Sequence, residues 1–142
     1  MMDKNFKGLL LELRIDWSEL DLFGHVNNVA FFKYIQAARV NYWEISGLDQ
    51  LFKASNHGPI IASCHCNFKL PLFYPGKVNV ETHCVYIKNT SFSFQHILFN
   101  DKGEMAAEAT DIIVMYDFNK NEKMLFPPTI KSKFEAIEQK IF

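Results

Sequence analysis

The sequence predicts an α+β domain in which an antiparallel sheet holds one long helix and a second helix closes the chain. Three observations predict it. Apolar and polar residues alternate with period two in five separate stretches. Between the first and second of these, apolar residues recur every three to four positions. The turns separating the last four stretches are too short for the crossovers that parallel strands need.

Taken in order, residues 9 to 17 place Leu9, Leu11, Leu13, Ile15 and Trp17 on one side and Leu10, Glu12, Arg14 and Asp16 on the other, the pattern of a half-buried strand. From about Asn28 to Ser46, the positions Phe31, Tyr34 or Ile35, Ala38, Tyr42 and Ile45 form one helical stripe, which Gly47 can end. Alternation returns near 59 to 68, 77 to 87, 91 to 100 and 104 to 117, broken at Pro75-Gly76, Asn89-Thr90 and Asp101-Lys102-Gly103. With connections that short, these four strands read as an antiparallel meander. From Pro127-Pro128 onward, Ile130, Phe134, Ile137 and Ile141 share the face of a terminal helix. No repeat, linker or low-complexity tract interrupts the order, so residues 1–142 read as a single domain.

Composition narrows the function classes. The chain has 142 residues, 49% of them hydrophobic and 22% charged, which suits one packed core. Its formal net charge is -1 and its Lys and Arg are scattered, so the basic footprint of a nucleic-acid binder is absent. No window approaches the roughly 20 apolar residues of a membrane span, and Glu12 and Arg14 interrupt the short apolar run at Leu9 to Leu11, so neither a stable membrane association nor a secretion signal is expected. The 3 Cys suit reduced thiols and a cytoplasmic location. Cys64, His65 and Cys66, with His83 and Cys84, invite a metal site. Strand alternation argues against it, because it sends Cys64 and Cys66 to the face of Ile60, Ala62 and Phe68 and turns His65 away. His96, in line with Phe92, Phe94 and Leu98, reads as a hydrogen-bonded core histidine.

The segment RIDWSELDLFGHVNNVAFFKYIQAAR, residues 14 to 39, joins the first strand to the long helix. It resembles the signature of the acyl-CoA thioesterases related to 4-hydroxybenzoyl-CoA thioesterase. Asp21, Gly24, His25, Val26, Asn27 and Asn28 fill the pattern D-x-x-G-H-V-N-N, and Phe68, Pro71, Pro75 and Gly76 resemble the family's exit from the second strand. Tyr34 and Arg39 also match, whereas Phe31 and Gln36 stand where the family often has Tyr and Glu. The resemblance implies a single hotdog domain: a five-stranded antiparallel sheet wrapped around a long central helix, with a C-terminal helix. It further implies hydrolysis of acyl-CoA thioesters and an active site between two subunits of a homodimer or homotetramer. It calls for no metal or redox cofactor, CoA being part of the substrate, and acyl carrier protein is the alternative carrier.

Among three acids in this loop, Asp16, Glu19 and Asp21, the resemblance selects Asp21 as the catalytic carboxylate, acting as general base on water or as nucleophile. An acid before a helix ordinarily just complements the helix dipole, so its weight here comes from the whole string. The same block supplies a reason for the chemistry. Gly24 permits a tight turn before the helix, and the first helical amides carry partial positive charge where a tetrahedral intermediate would place its oxyanion. The amide of Asn28 or a near neighbour takes that role in the resemblance, with His25, Val26 and Asn27 shaping the site. Loss of the Glu at position 36 leaves Asp21 without a second helix carboxylate. Two other readings remain: a hydroxyacyl-thioester dehydratase using His25 as base, and a non-catalytic acyl-thioester binding protein.

Overall fold

The computed structural model describes residues 7–142, so residues 1–6 of the expected domain, and the start of the stretch read for a leader, lie outside the described residues. The elements run β1 (Leu9–Arg14), a 3-10 turn (Trp17–Glu19), α1 (Asn28–Ser46), α2 (Leu48–Ser55), β2 (His57–Phe68), β3 (Lys77–Ile87), β4 (Ser91–Phe99), β5 (Met105–Asp117), β6 (Glu122–Lys123) and α3 (Pro128–Glu138). The sheet is antiparallel in the order β1-β3-β4-β5-β2, with the short β6 added against β5. The expected five strands are therefore present with a sixth.

Helix α1 has the bounds its spacing predicts. The Asn27 side chain accepts a hydrogen bond from the Ala30 amide at 2.8 Å at one end, and Gly47 takes the left-handed conformation (φ 84°) that a helix stop requires at the other. Phe31, Tyr34, Ile35, Ala38 and Tyr42 are buried as expected, while Ile45 is 53% exposed because the chain turns into α2 beside it. The sequence reading has no helix at 48–55, an amphipathic two-turn element too short to assert a period.

Four further expectations are corrected. The first strand stops at Arg14, not Trp17, because the Asp16 side chain caps the 3-10 turn and turns Trp17 outward, 71% exposed. Only β3, β4 and β5 form a meander. Strand β2 lies on the far edge beside β5, since the segment 69–76 crosses the sheet end instead of reversing tightly. That crossing is held by the Ala106 carbonyl, which accepts from the Lys69 and Leu70 amides at 2.8 and 3.0 Å. In β2 the register against β5 shifts between Ile61 and Ser63; the extra residue brings Ile61 onto the core side with Cys64 and Cys66 and leaves Ile60 38% exposed. Finally, α3 ends at Glu138, so Ile141 lies beyond it, 90% exposed.

Two apolar clusters fill the space between helices and sheet. One gathers Ile15, Val26, Ala30, Phe31, Ile35, Leu72, Val80, Leu98 and Ala109 under the first half of α1. The other gathers Tyr42, Leu48, Cys84, Phe92, Phe94, Ile113, Met115 and Phe134 under its second half and α3. Four elements contribute buried polar residues that bond to one another: Arg39 from α1, Thr82 from β3, His96 from β4 and Asp111 from β5. Arg39 Nε and Nη2 donate to Asp111 Oδ2 and Oδ1 at 2.9 and 3.3 Å. His96 Nε2 is 2.7 Å from Asp111 Oδ2, and its Nδ1 is 2.8 Å from the Thr82 hydroxyl. His96 is thus the hydrogen-bonded core residue its position suggests.

Burial pushes the Asp111 carboxyl up, but the hydrogen bonds from His96 and Arg39, together with their charge, outweigh it and take it down to about 2 from 3.8. The stabilisation this gives is present above pH 3.8 and is lost as pH falls through about 2. Replacing Asp111 by Ala leaves the Arg39 charge buried and unpaired, a change that costs about 3–5 kcal/mol. Urea unfolding at neutral pH checks this, and a loss below about 1 kcal/mol would contradict the reading of this layer as tightly coupled.

Candidate active site

The loop between the 3-10 turn and α1 is built from its own hydrogen bonds. Leu20 and Val26 form an isolated antiparallel bridge. Inside it the Asp21 amide donates to the His25 carbonyl at 2.7 Å and the Gly24 amide to the Asp21 carbonyl at 3.1 Å. Gly24 adopts φ 82°, a conformation side-chain-bearing residues rarely take, which explains the glycine at this point of the motif. The Val26 amide donates to the Leu72 carbonyl at 2.9 Å, so the 69–76 crossing supports the loop from below.

The three acids of the loop have distinct fates. Asp16 accepts from the Ser18 amide and hydroxyl at 2.9 and 2.6 Å, and these bonds hold its carboxyl below the ordinary range. Glu19 is buried: its Oε1 accepts from the Asp16 amide at 2.7 Å and the Tyr34 hydroxyl at 2.8 Å, its Oε2 from Lys33 Nζ at 3.1 Å. Burial raises the Glu19 carboxyl, but these three donors outweigh it and lower it overall, while burial and Glu19 together push the Tyr34 phenol up. The Glu19 carbonyl also accepts from the Asn27 amide at 2.8 Å. Asp21 alone stays exposed and without a side-chain partner among the described residues. Its Oδ1 accepts from the Phe23 and His25 amides at 2.9 and 3.2 Å, which orients the carboxylate and leaves Oδ2 without a hydrogen-bond partner among the described residues.

The helix start lies directly after this loop. The Val26, Asn27 and Ala30 amides are all engaged, whereas those of Asn28 and Val29 find no acceptor among the described residues. His25 is exposed, with its ring edge-on to Phe73 at 5.1 Å between centroids and no side-chain hydrogen bond among the described residues; it meets Asp21 through its backbone. Val26 is buried in the core and Asn27 serves as the cap. Asp21, Gly24 and His25 therefore share one turn, with Asn27 and Asn28 continuing into the helix.

Around the loop the surface is unusually apolar: Leu22, Phe23 and Val29 are 94%, 81% and 70% exposed. A cavity of ≈ 310 Å³ lies between the 70–75 segment and the 100–104 turn, with Phe73 on its wall. Among the described residues no group of His, Cys, Asp and Glu is arranged to hold a metal ion. Burial pushes the Cys64 thiol up to about 12 and raises Cys66 as well, so both stay protonated at neutral pH.

The role of Glu19 is missing from the sequence reading, which counts it only as one of three acids. The signal was present as Asp16-x-x-Glu19, the reciprocal spacing of a capping box. The partnership of Glu138 with the Tyr42 hydroxyl (2.7 Å) and the Cys84 amide (3.1 Å) had no such local signal, because its partners are distant in sequence.

Residues 15–134 match the thioesterase-like superfamily. Two curated relatives share the sequence more loosely. A chloroplastic acyl-acyl carrier protein thioesterase of Arabidopsis thaliana is 31% identical over 127 residues, 87% of this chain and 66% of that protein. A long-chain acyl-CoA thioesterase of Escherichia coli is 20% identical over 127 residues, 89% of this chain and 96% of that protein. The fold superposes on a Thermus thermophilus thioesterase solved with coenzyme A and Zn at a TM-score of 0.83, with 22% identity, covering 94% of this chain and 96% of that one.

Removing the Glu19 carboxylate would strand the Tyr34 hydroxyl and release both ends of the loop. Glu19→Ala is expected to cost roughly 1.5–3 kcal/mol, the range for hydrogen bonds to a charged group. Hydrogen exchange should accelerate at the Asp16 amide, which loses its acceptor, and unchanged protection there would contradict the bracing role.

Proposed function

We propose, from the premise that this chain belongs to the thioesterase-like superfamily, that it hydrolyses acyl-CoA thioesters to free acid and CoA with Asp21 as its working carboxylate. The hotdog architecture and the thioesterase relatives support the hydrolase reading. The observation that carries the role of Asp21 is the contrast among the loop's acids. Asp16 and Glu19 are consumed by local structure, whereas among the described residues Asp21 keeps one oxygen uncommitted just ahead of a helix whose first two amides find no acceptor.

The reaction follows from that pairing. The thioester carbonyl oxygen sits against the Asn28 and Val29 amides, which favour the negative oxygen of the tetrahedral intermediate over the neutral carbonyl. On the opposite face of the carbonyl carbon, Asp21 Oδ2 takes a proton from a water as that water adds, or adds directly to give a mixed anhydride that water then opens. In the first route the C–S bond breaks as the tetrahedral intermediate collapses, and the proton held by Asp21 passes to the departing CoA thiolate. In the second the C–S bond breaks as the anhydride forms, and the water that then opens the anhydride supplies the proton to the thiolate and regenerates the Asp21 carboxylate. Gly24, His25, Val26 and Asn27 shape the turn that holds these groups. The reaction as written uses neither metal nor redox cofactor.

The exposed apolar rim around the loop fits an interface between copies, and a homodimer or homotetramer is part of this reading. No described helix is long and apolar enough to cross a membrane, and we place the activity in the cytoplasm. The carrier is CoA, with acyl carrier protein as the competing carrier.

A thiol-release assay across short, long and aromatic acyl-CoAs tests the activity, with mass spectrometry of the products. Free acid and CoA are expected; an enoyl thioester would instead mark a dehydratase, and binding without thiol release a binding protein. Asp21→Asn should lower kcat roughly 10²–10⁴-fold, the usual contribution of a positioned base, with acyl-CoA binding retained. Turnover close to that of the unaltered enzyme would remove Asp21 from the reaction.

A further inference from the structure

An acyl chain leaving the Asp21 loop meets an exposed rim in its own chain, yet each methylene kept out of water is worth about fourfold in binding. An apolar cavity lies elsewhere. A half-open cavity of about 300 Å³ is lined by Trp43, Leu48, Phe52, Gly58, Pro59 and Phe118, where the end of α1, helix α2 and the start of β2 meet. Its only charged residues, Lys53 and Asp49, are of opposite sign, so it offers no net charge to the phosphates of CoA. Trp43 Nε1 and Asp49 Oδ1, both on residues of this wall, are buried without a hydrogen-bond partner among the described residues. Helix α1 separates this cavity from the Asp21 loop of the same chain by roughly 25 Å at 1.5 Å per residue.

Strand β2 removes that separation between two copies. It has 12 residues and, among the described residues, is paired along one edge, with β5. An open edge of that length calls for a cover, and two-fold pairing of β2 with itself is antiparallel, so each end of one strand faces the opposite end of the other. The cavity sits at the strand's beginning, at Gly58 and Pro59. At its other end Phe68 packs edge-on against Phe31 and Phe32 in the first turns of α1, at 5.1 and 6.3 Å. Pairing about the middle of β2 therefore brings the start of α1 in one copy beside the cavity of the other.

We propose that this cavity in one copy receives the acyl chain of the thioester whose carbonyl is held at Asp21 and the start of α1 in a second copy, which makes Gly58 and Phe118 specificity-determining residues. The inference rests on the hydrolase reading above. A Cβ at Gly58 would lie 3.3 Å from the Phe52 ring and 3.6 Å from that of Phe118, so a side chain there fills the space.

Mixed assemblies of Asp21→Asn and Gly58→Val copies test this. Gly58→Val alone should lower kcat/KM for long-chain relative to short-chain acyl-CoA at least tenfold. In purified hybrids, the arrangement proposed here leaves one site with both an intact Asp21 and an intact cavity, so about half of the unaltered long-chain activity per dimer returns. If acid and cavity belonged to the same copy, every hybrid site would carry a defect and no recovery would follow. Absence of recovery, an unaltered chain-length profile, or a monomer in solution would overturn the inference while leaving the hydrolase reading standing. Absence of hydrolysis of any acyl-CoA by the unaltered protein would overturn both. Phe118→Trp, on the opposite wall, fills the same space should Gly58→Val not fold.

Discussion

The buried carboxylate of Glu19 is the constraint on which the site depends. It takes hydrogen bonds from Asp16 on the 3-10 turn and from Tyr34 and Lys33 on α1, and its carbonyl anchors Asn27 at the helix cap. One residue thus joins the end of β1 to the beginning of α1. Because an unpartnered buried acid is costly, the chain gains little by any arrangement that breaks these contacts. Asp21, two residues on, inherits a fixed position; its Oδ1 is taken by the Phe23 and His25 amides, and its Oδ2 has no hydrogen-bond partner among the described residues.

The layer of Arg39, Asp111, His96 and Thr82 performs a comparable task for the long helix. Apolar contacts are non-directional and tolerate a helix sliding along its axis. A buried guanidinium bonded through two nitrogens to one aspartate does not. Four elements meet at one level of the core, with an apolar cluster on either side. The first amides of α1 are consequently held at a defined height above the sheet end, next to the loop supported by Leu72.

Much of this was legible in the residues, and what was not has physical causes. Helix α1 could be placed closely because its apolar spacing and the Gly47 stop are local signals that act within the same helix. The strands could be placed because alternation is also local. Their order could not, since a connection of eight residues serves either a hairpin or the crossing that puts β2 at the far edge. The bulge in β2 likewise depends on its partner strand, so Ile60 and Ile61 exchanged sides. At the site, the D-x-x-G-H-V-N-N string located the loop, and Gly24 and Asn27 have the backbone roles their types suggest. Asp16 is set apart by local bonds to Ser18, whereas the burial of Glu19 depends as well on Lys33 and Tyr34, which lie 14 and 15 residues away and leave no local signal.

The most direct test of the account is a crystal structure with an acyl-CoA analogue in which a methylene replaces the thioester sulfur, preserving the carbonyl while blocking cleavage. The carbonyl oxygen should lie about 3 Å from an amide at the start of α1, within the range of an oxyanion donor, with Asp21 Oδ2 facing the carbonyl carbon from the other side. A carbonyl bound away from that first helical turn, or one that Asp21 cannot reach directly or through a single water, would contradict it.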